Sequence, residues 1–301
     1  MQLSLRLPLV HDFAVPGRGA PAGIRPGHDG AVYGLHSERR AHGGADVVVT
    51  EVHDGAVAAE MRLSTDNHFD IAQPLPRGEL LLVSARTSRG AGGQLEPNAT
   101  VFDADGRPLR SFVLGDGIED VQTCPDGAIW VSYFDEGVLG TGEFGEPVGR
   151  SGLVRWSPGG DLEYEFCPPP GEDMVIDCYA LNAVHAREAW LSYYAPFSIV
   201  RVHDDHPVAV WPGSVGGITS LARAGRRAAC QDAYEDTGHF HLVDLSEGEP
   251  ARVVGELRLE SDDGAPLQRT WTVGRGSRLT IVDGTRCFAI DVRDVPDQAW
   301  R

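Results

Sequence analysis

A phrase that recurs along the chain limits the folds open to it. Leu80 to Arg86 (LLLVSAR), Ile129 to Phe134 (IWVSYF) and Trp190 to Tyr194 (WLSYY) are apolar strands that carry Val-Ser or Leu-Ser and run into an aromatic or charged loop. Another short strand and a tight turn precede each, as in Asp120 to Gly127 (DVQTCPDG) and Leu181 to Glu188 (LNAVHARE). Weaker copies occupy Gly23 to Leu35, Gly217 to Asp232 and Arg269 to Asp283. Repetition at ~50 residues with four strand signals per copy is the size of one propeller blade. The expected fold is therefore all-β, a six-bladed β-propeller of four-stranded antiparallel blades. Its units lie at 22–63, 68–114, 117–166, 175–211, 216–259 and 267–292.

The third unit shows the plan most clearly. Ile118 to Thr123 is the inner strand, Cys124-Pro125-Asp126-Gly127 the turn and Ala128 to Tyr133 the second strand. Gly152 to Ser157 and Leu162 to Phe166 follow, joined through Pro158-Gly159-Gly160-Asp161. Asp-Gly and Gly-Gly supply the positive φ that short hairpins need. No window of a dozen residues sustains a 3.6-residue period, so helices should be few. The last unit has three strand signals, Gln268 to Val273, Ser277 to Val282 and Arg286 to Val292, and lacks an outer strand. At the other terminus Leu3, Leu5, Leu7 and Leu9 alternate with other residues at period two. Residues 2–9 are thus expected to complete the last blade, closing one domain over residues 1–301 and covering a sheet edge.

The stretch Ile118 to Ser132 (IEDVQTCPDGAIWVS) resembles the repeats of six-bladed propellers in the group that holds gluconolactonases, regucalcin-like proteins and NHL-repeat proteins. Streptogramin lyases carry a similar phrase on seven blades. The resemblance implies the fold, and for lactonase-type members a divalent metal held in the central channel by acidic and amide side chains. Calcium, magnesium, manganese or zinc would be the cofactor, and hydrolysis or a lyase reaction the chemistry. In that group a first-unit glutamate precedes a Gly-Pro-x-Trp-like phrase; here Ala22-Gly23-Ile24-Arg25-Pro26-Gly27 stands in its place. Arg25 brings positive charge to where a cation would sit.

Charge and composition remove other classes. All 26 basic residues are arginine, which excludes a pyridoxal-phosphate lysine and a Walker A phosphate loop. Gly140 to Gly145 (GTGEFG) has the spacing of a dinucleotide fingerprint but no βαβ unit around it, so no nucleotide is expected. A net charge of −18 repels phosphate backbones and anionic lipids, so neither nucleic acid nor membrane is an expected partner. Five cysteines, odd in number and widely spread, fit reduced thiols, and the short apolar stretch at the start does not read as a signal peptide. The expected compartment is cytoplasmic.

Aligning the inner-strand starts brings Arg25, Asp70, Glu119, Asp120, Asp177, Thr219 and Arg269 toward one channel rim. Converging carboxylates need a cation, a proton or an arginine between them. Two outcomes stay open: Asp70, Glu119, Asp120 and Asp177 hold a metal or polar ligand, or Arg25 and Arg269 pair with them as an ionic plug. In the first, Arg25 and Arg269 stabilise developing negative charge, and His68 or His239 moves protons. Tyr133, Phe134, Tyr193, Tyr194, Tyr234 and His241 head loops on the same face. They either contact an organic ligand or cap the layers between blades. His239-x-His241 has a spacing also found in metal sites. Cys178 starts the fourth inner strand and reads as a buried thiol before it reads as a nucleophile. The functional expectation is a small-molecule-binding propeller, a metal-assisted hydrolase or lyase. The alternative is a non-catalytic scaffold for a protein partner.

Overall fold

The computed structural model describes residues 2–140, 146–194, 197–213, 215–235, 237–268 and 270–300. Among them twenty-five strands form six sheets, the blades of a six-bladed β-propeller, and the one α-helix is the five-residue turn Asp135–Leu139. The sheets fall into two compact units, Phe13–Phe166 and Met1–Asp12 with Cys167–Arg301.

In the unit Phe13–Phe166, blade one runs Gly23–Pro26, Val32–Arg39, Ala45–His53 and Ala56–Thr65. Blade two is Ile71–Leu75, Glu79–Val83, Ala99–Phe102 and Pro108–Phe112, and blade three Ile118–Thr123, Ile129–Tyr133, Leu153–Trp156 and Leu162–Glu165. The Pro-Asp-Gly turn closes as read: Gly127 takes φ +92° and its N–H donates to Cys124 O at 2.8 Å. Period-two alternation places apolar side chains on both faces, and these fill the space between neighbouring sheets. Leu35, Val47 and Val49 pack on Leu80, Leu82 and Phe102, and Leu81 and Val101 on Val121, Val131 and Trp156.

The other unit repeats this plan. Blade four is Asp177–His185, Glu188–Tyr194, Ile199–His203 and His206–Trp211, with Trp190 stacked on Trp211 at 5.2 Å. Blade five is Ile218–Ala224, Arg227–Asp232, His239–Asp244 and Arg252–Glu260, and blade six Thr270–Arg275, Arg278–Asp283 and Arg286–Asp291, with Leu9–Asp12 as its outer strand. The expected completion of the last blade by residues 2–9 is corrected: of that range only Leu9 belongs to the outer strand of blade six, which is Leu9–Asp12. Gln2–Arg6 instead pairs in parallel with Arg252–Glu260 as a fifth strand of blade five. The ladder ends where Leu7 N–H donates to Glu260 O at 2.9 Å, because Pro8 has no N–H to continue it. Leu7, buried among Leu259, Leu279 and Phe288, turns the chain from one blade to the next.

Each unit ties its first strands together with one buried amide. In the unit Phe13–Phe166, Gln73 Nε2 donates to Pro26 O at 3.1 Å and its Oε1 accepts Thr123 N–H at 3.2 Å. In the other unit Asn182 Nδ2 donates to Leu221 O at 2.8 Å and Gly276 O at 2.9 Å, and its Oδ1 accepts Gly276 N–H at 2.7 Å. A side-chain amide offers donor and acceptor at once, which is what backbones meeting out of ladder register require.

Blade six ends on Asp291, which accepts from Ser277 Oγ, Arg293 N–H and the Arg293 guanidinium at 2.6–2.8 Å. Burial alone would raise this carboxyl, but the Arg293 and Ser277 hydrogen bonds outweigh it and hold its pKa at about 2. A carboxyl depressed on folding stabilises the protein above its unfolded value near ~4 and loses that contribution as pH falls through the folded value. Asp291→Asn should therefore lower the unfolding temperature by a constant amount above pH ~4, with the gap to wild type closing toward pH ~2. Thermal melts of both proteins across this range check it.

Candidate functional site

Within the unit Phe13–Phe166 the start of blade two meets the end of the second strand of blade one. There His68 lies between two oxygens. Its Nδ1 is 2.9 Å from Ser37 Oγ and its Nε2 is 3.2 Å from Asp70 Oδ1. Ser37 Oγ also accepts Phe69 N–H at 3.1 Å, and Asp70 Oδ2 accepts Ala85 N–H at 2.9 Å, so both partners are held by backbone. The His68 carbonyl accepts from Ser84 Oγ, which fixes the ring's own backbone. A carboxylate can only accept, so the neutral ring places its proton on Nε2 and leaves Nδ1 to accept the Ser37 hydroxyl. This is the Ser-His-Asp order of a proton relay with the two ring nitrogens exchanged.

His68 and Asp70 form part of the wall of a cleft of about 360 Å³, together with Arg86, Thr87, Glu96 and Asn98. Arg86 clasps Asp116 through Nε at 3.0 Å, pairs with Glu136 and lies over the Phe134 ring at 5.6 Å. Burial alone would lower its pKa, but the two carboxylates raise it, so the cation is permanent. Phe134 is half-buried and reaches the cleft only through Arg86, which lies over its ring.

The acid cluster resolves toward the ionic plug. Arg25 is buried, and its Nε donates to Asp120 Oδ1 at 2.9 Å while Gln122 Nε2 donates to Oδ2 at 2.9 Å. Burial lowers the Arg25 pKa, opposed first by the charge and hydrogen bond of Asp120 and then by the charges of Glu119 and Asp70. Asp120 is therefore paired with Arg25, and Arg25 is that acid's partner, not a free cation awaiting substrate. Glu119 itself sits exposed at a bulge between Ile118 and Asp120. Among the described residues, the triads of ligand-type side chains close enough to share an ion are elsewhere: Asp29, Glu51 and His53, and His185, Glu188 and His203.

Tyr133 and Tyr193 are both 0% exposed, and the Tyr133 hydroxyl donates to Leu114 O, so these two rings cap layers between blades and contact no ligand. Burial pushes both phenols up. The rest of the set lies in the other unit. Asp177 is half-buried and pairs in register with Tyr194. Tyr194 is exposed and meets Phe197 edge-on at 5.5 Å, and Phe197 stacks on Tyr179 at 5.8 Å. Tyr234 is 72% exposed and leans on Gly217, where an added Cβ would come within 2.8 Å of its ring. His239 and His241 stand edge-to-face at 5.1 Å, each facing its own carboxylate at 3.7 Å, Glu256 and Asp232. Cys178 is buried, as a core thiol should be. Arg269 and the 141–145 part of the Gly-rich loop lie outside the described residues.

Ser37 and Tyr179 were not legible as site residues. Ser37 stands at the same end of the second strand as Ser84, Ser132 and Ser192, so the recurring serine was the available signal.

No family model and no curated protein matches the chain. Solved structures do match, at the level of fold. Hsv2 of Kluyveromyces lactis is 12% identical over 93% of this chain and 76% of that one, with a TM-score of 0.53. The β-propeller domain of Cps50 (Swd1) from Myceliophteria thermophila is 12% identical over 91% and 97%, with a TM-score of 0.51. A protein assigned as a gluconolactonase is 17% identical over 95% and 91%, with a TM-score of 0.44. The class defined here is the six-bladed β-propeller with a polar cleft at His68 and Asp70.

Proposed function

We propose that the protein binds a small polar molecule in the cleft beside His68 and that the His68–Asp70 pair moves a proton on or off it. That proton transfer is common to hydrolytic and eliminating reactions. The supporting observation is His68 held between Ser37 Oγ and Asp70 Oδ1 at the wall of a polar cleft of about 360 Å³. Asp70 is the member that reaches solvent, its side chain 36% exposed, and it meets the bound molecule while His68 supplies or stores the proton. Arg86, which lines the cleft, offers guanidinium N–H donors to the molecule's oxygens. This reading places its chemistry on His68 and Asp70, and Asp120 is paired with Arg25.

The test is a thermal-shift and hydrolysis screen of the purified protein against lactones, esters and sugar acids. At least one compound should stabilise the wild type, bind about tenfold more weakly to Asp70→Asn, which removes a charge-assisted hydrogen bond, and turn over no longer in His68→Ala. Absence of any binder, or binding and turnover indifferent to both substitutions, overturns the reading. The second reading, a non-catalytic scaffold, draws on the net charge of −18, which suits a basic protein partner. It predicts the same indifference.

A further inference from the structure

We propose that Asp29, Glu51 and His53 form a site for a divalent transition-metal ion, at the end of blade one and separate from the cleft at His68. Glu51 and His53 are two apart on one strand and so share a sheet face. Asp29 reaches them from the turn that joins the first two strands of the blade. One ligand atom from each lies within 4.8 Å of the others, and His53 Nε2 is 2.8 Å from Glu51 Oε1. A tetrahedral zinc with ligands at ~2.0–2.1 Å spaces them about 3.3 Å apart, so binding needs side-chain adjustments of about 1 Å and no backbone change.

Asp29 is held for this work. Its Oδ2 accepts the Tyr33 hydroxyl at 2.6 Å and its Oδ1 accepts Ala31 N–H at 3.0 Å, leaving further lone pairs on each oxygen. Such outer hydrogen bonds orient carboxylate ligands. Among the described residues the ion pair at these two acids is Glu51 with His53, and no arginine is paired with them. The contrast with the second triad decides between them. Glu188 Oε1 already accepts from Trp190 Nε1 at 2.9 Å, Arg201 at 3.0 Å and Arg223 at 3.3 Å, and two guanidinium groups beside it oppose a further cation.

Asp29 and Glu51 line a cavity of about 230 Å³ together with Tyr33, Val49, Met61 and Leu75. An ion held by three protein ligands keeps a coordination position for water or an organic oxygen, and the cavity has room for it. One imidazole with two carboxylates suits zinc or manganese better than calcium, which prefers six or more oxygens.

Titration calorimetry of the full chain with zinc tests this. One equivalent should bind, weakened about 100-fold by His53→Ala and by Glu51→Gln, the upper range of what even an outer-shell partner is worth. Cobalt should give visible d–d bands that His53→Ala removes. His203→Ala, in the other triad, should change neither. His53 is partly exposed at a strand end, so His53→Ala should melt like the wild type without metal, separating loss of the site from loss of the fold. No zinc binding, binding indifferent to His53→Ala, or binding lost with His203→Ala overturns the proposal. None of these outcomes bears on the cleft at His68.

Discussion

Asn182→Ala should lower the unfolding temperature by about 7 °C, corresponding to a loss of about 4 kcal/mol. The residue is 0% exposed and makes three hydrogen bonds of 2.7–2.9 Å, each to a backbone group of another blade in its unit. Alanine removes the Asn182 bonds to Leu221 O and Gly276 N–H together, while Gly276 O still accepts Arg223 N–H at 2.9 Å. A buried backbone group left unpaired costs about 1–3 kcal/mol, whereas losing a bond that water can replace costs only ~1. Asn182→Asp is the sharper probe. The carboxylate keeps the acceptor for Gly276 N–H but sets negative charge against two carbonyl oxygens, so it should be at least as damaging as alanine at pH 7. Calorimetric melts of the two variants check both. A shift under about 2 °C for alanine would mean that water fills the gap and that the amide is not what ties these strands. Gln73→Ala, with bonds of 3.1 and 3.2 Å, should cost less.

Asn182 also marks the limit of what the sequence makes legible. Strand positions follow from period-two alternation and from turn chemistry, and both are local. In blade three the inner strand Ile118–Thr123 falls where it was read, and the later strands agree within a residue at either end. Pairing between distant strands is not local. The leucine alternation at residues 3 to 9 reports a strand, but alternation is equally satisfied by the parallel edge of blade five and the antiparallel edge of blade six. Pro8 splits the segment between them. The candidate site divides along the same line. That inner-strand starts of different blades approach one another follows from register, as the Arg25 Nε bond to Asp120 Oδ1 at 2.9 Å illustrates. Whether an aromatic at a strand end points out or in depends on one residue of register, which puts Tyr133 in the core and leaves its neighbour Phe134 half-buried under Arg86. Ser37 joins His68 only because two blades pack together, and no spacing within either strand encodes that contact.

Gly274→Ala should cost about 3 kcal/mol, the largest loss that a single added methyl group would cause in the unit formed by Met1–Asp12 and Cys167–Arg301. A Cβ built at Gly274 falls 1.8 Å from Leu221 O and 2.4 Å from Leu221 C, well inside contact distance. Those atoms are backbone, so no rotamer change relieves the clash. Either the first strand of blade six or that of blade five must move. Moving either disturbs the Leu221 carbonyl that Asn182 Nδ2 holds at 2.8 Å, so the two sites share one oxygen. The shared atom makes the substitutions non-additive: once alanine at 274 has displaced Leu221, Asn182 has less left to lose. The double variant should therefore fall short of the sum of the single losses by about 1 kcal/mol or more. Urea denaturation of the wild type, both single variants and the double variant measures this directly. Strict additivity would show that Asn182 draws its contribution from Gly276 alone, and an unchanged midpoint for Gly274→Ala would show that the two first strands are not in contact there.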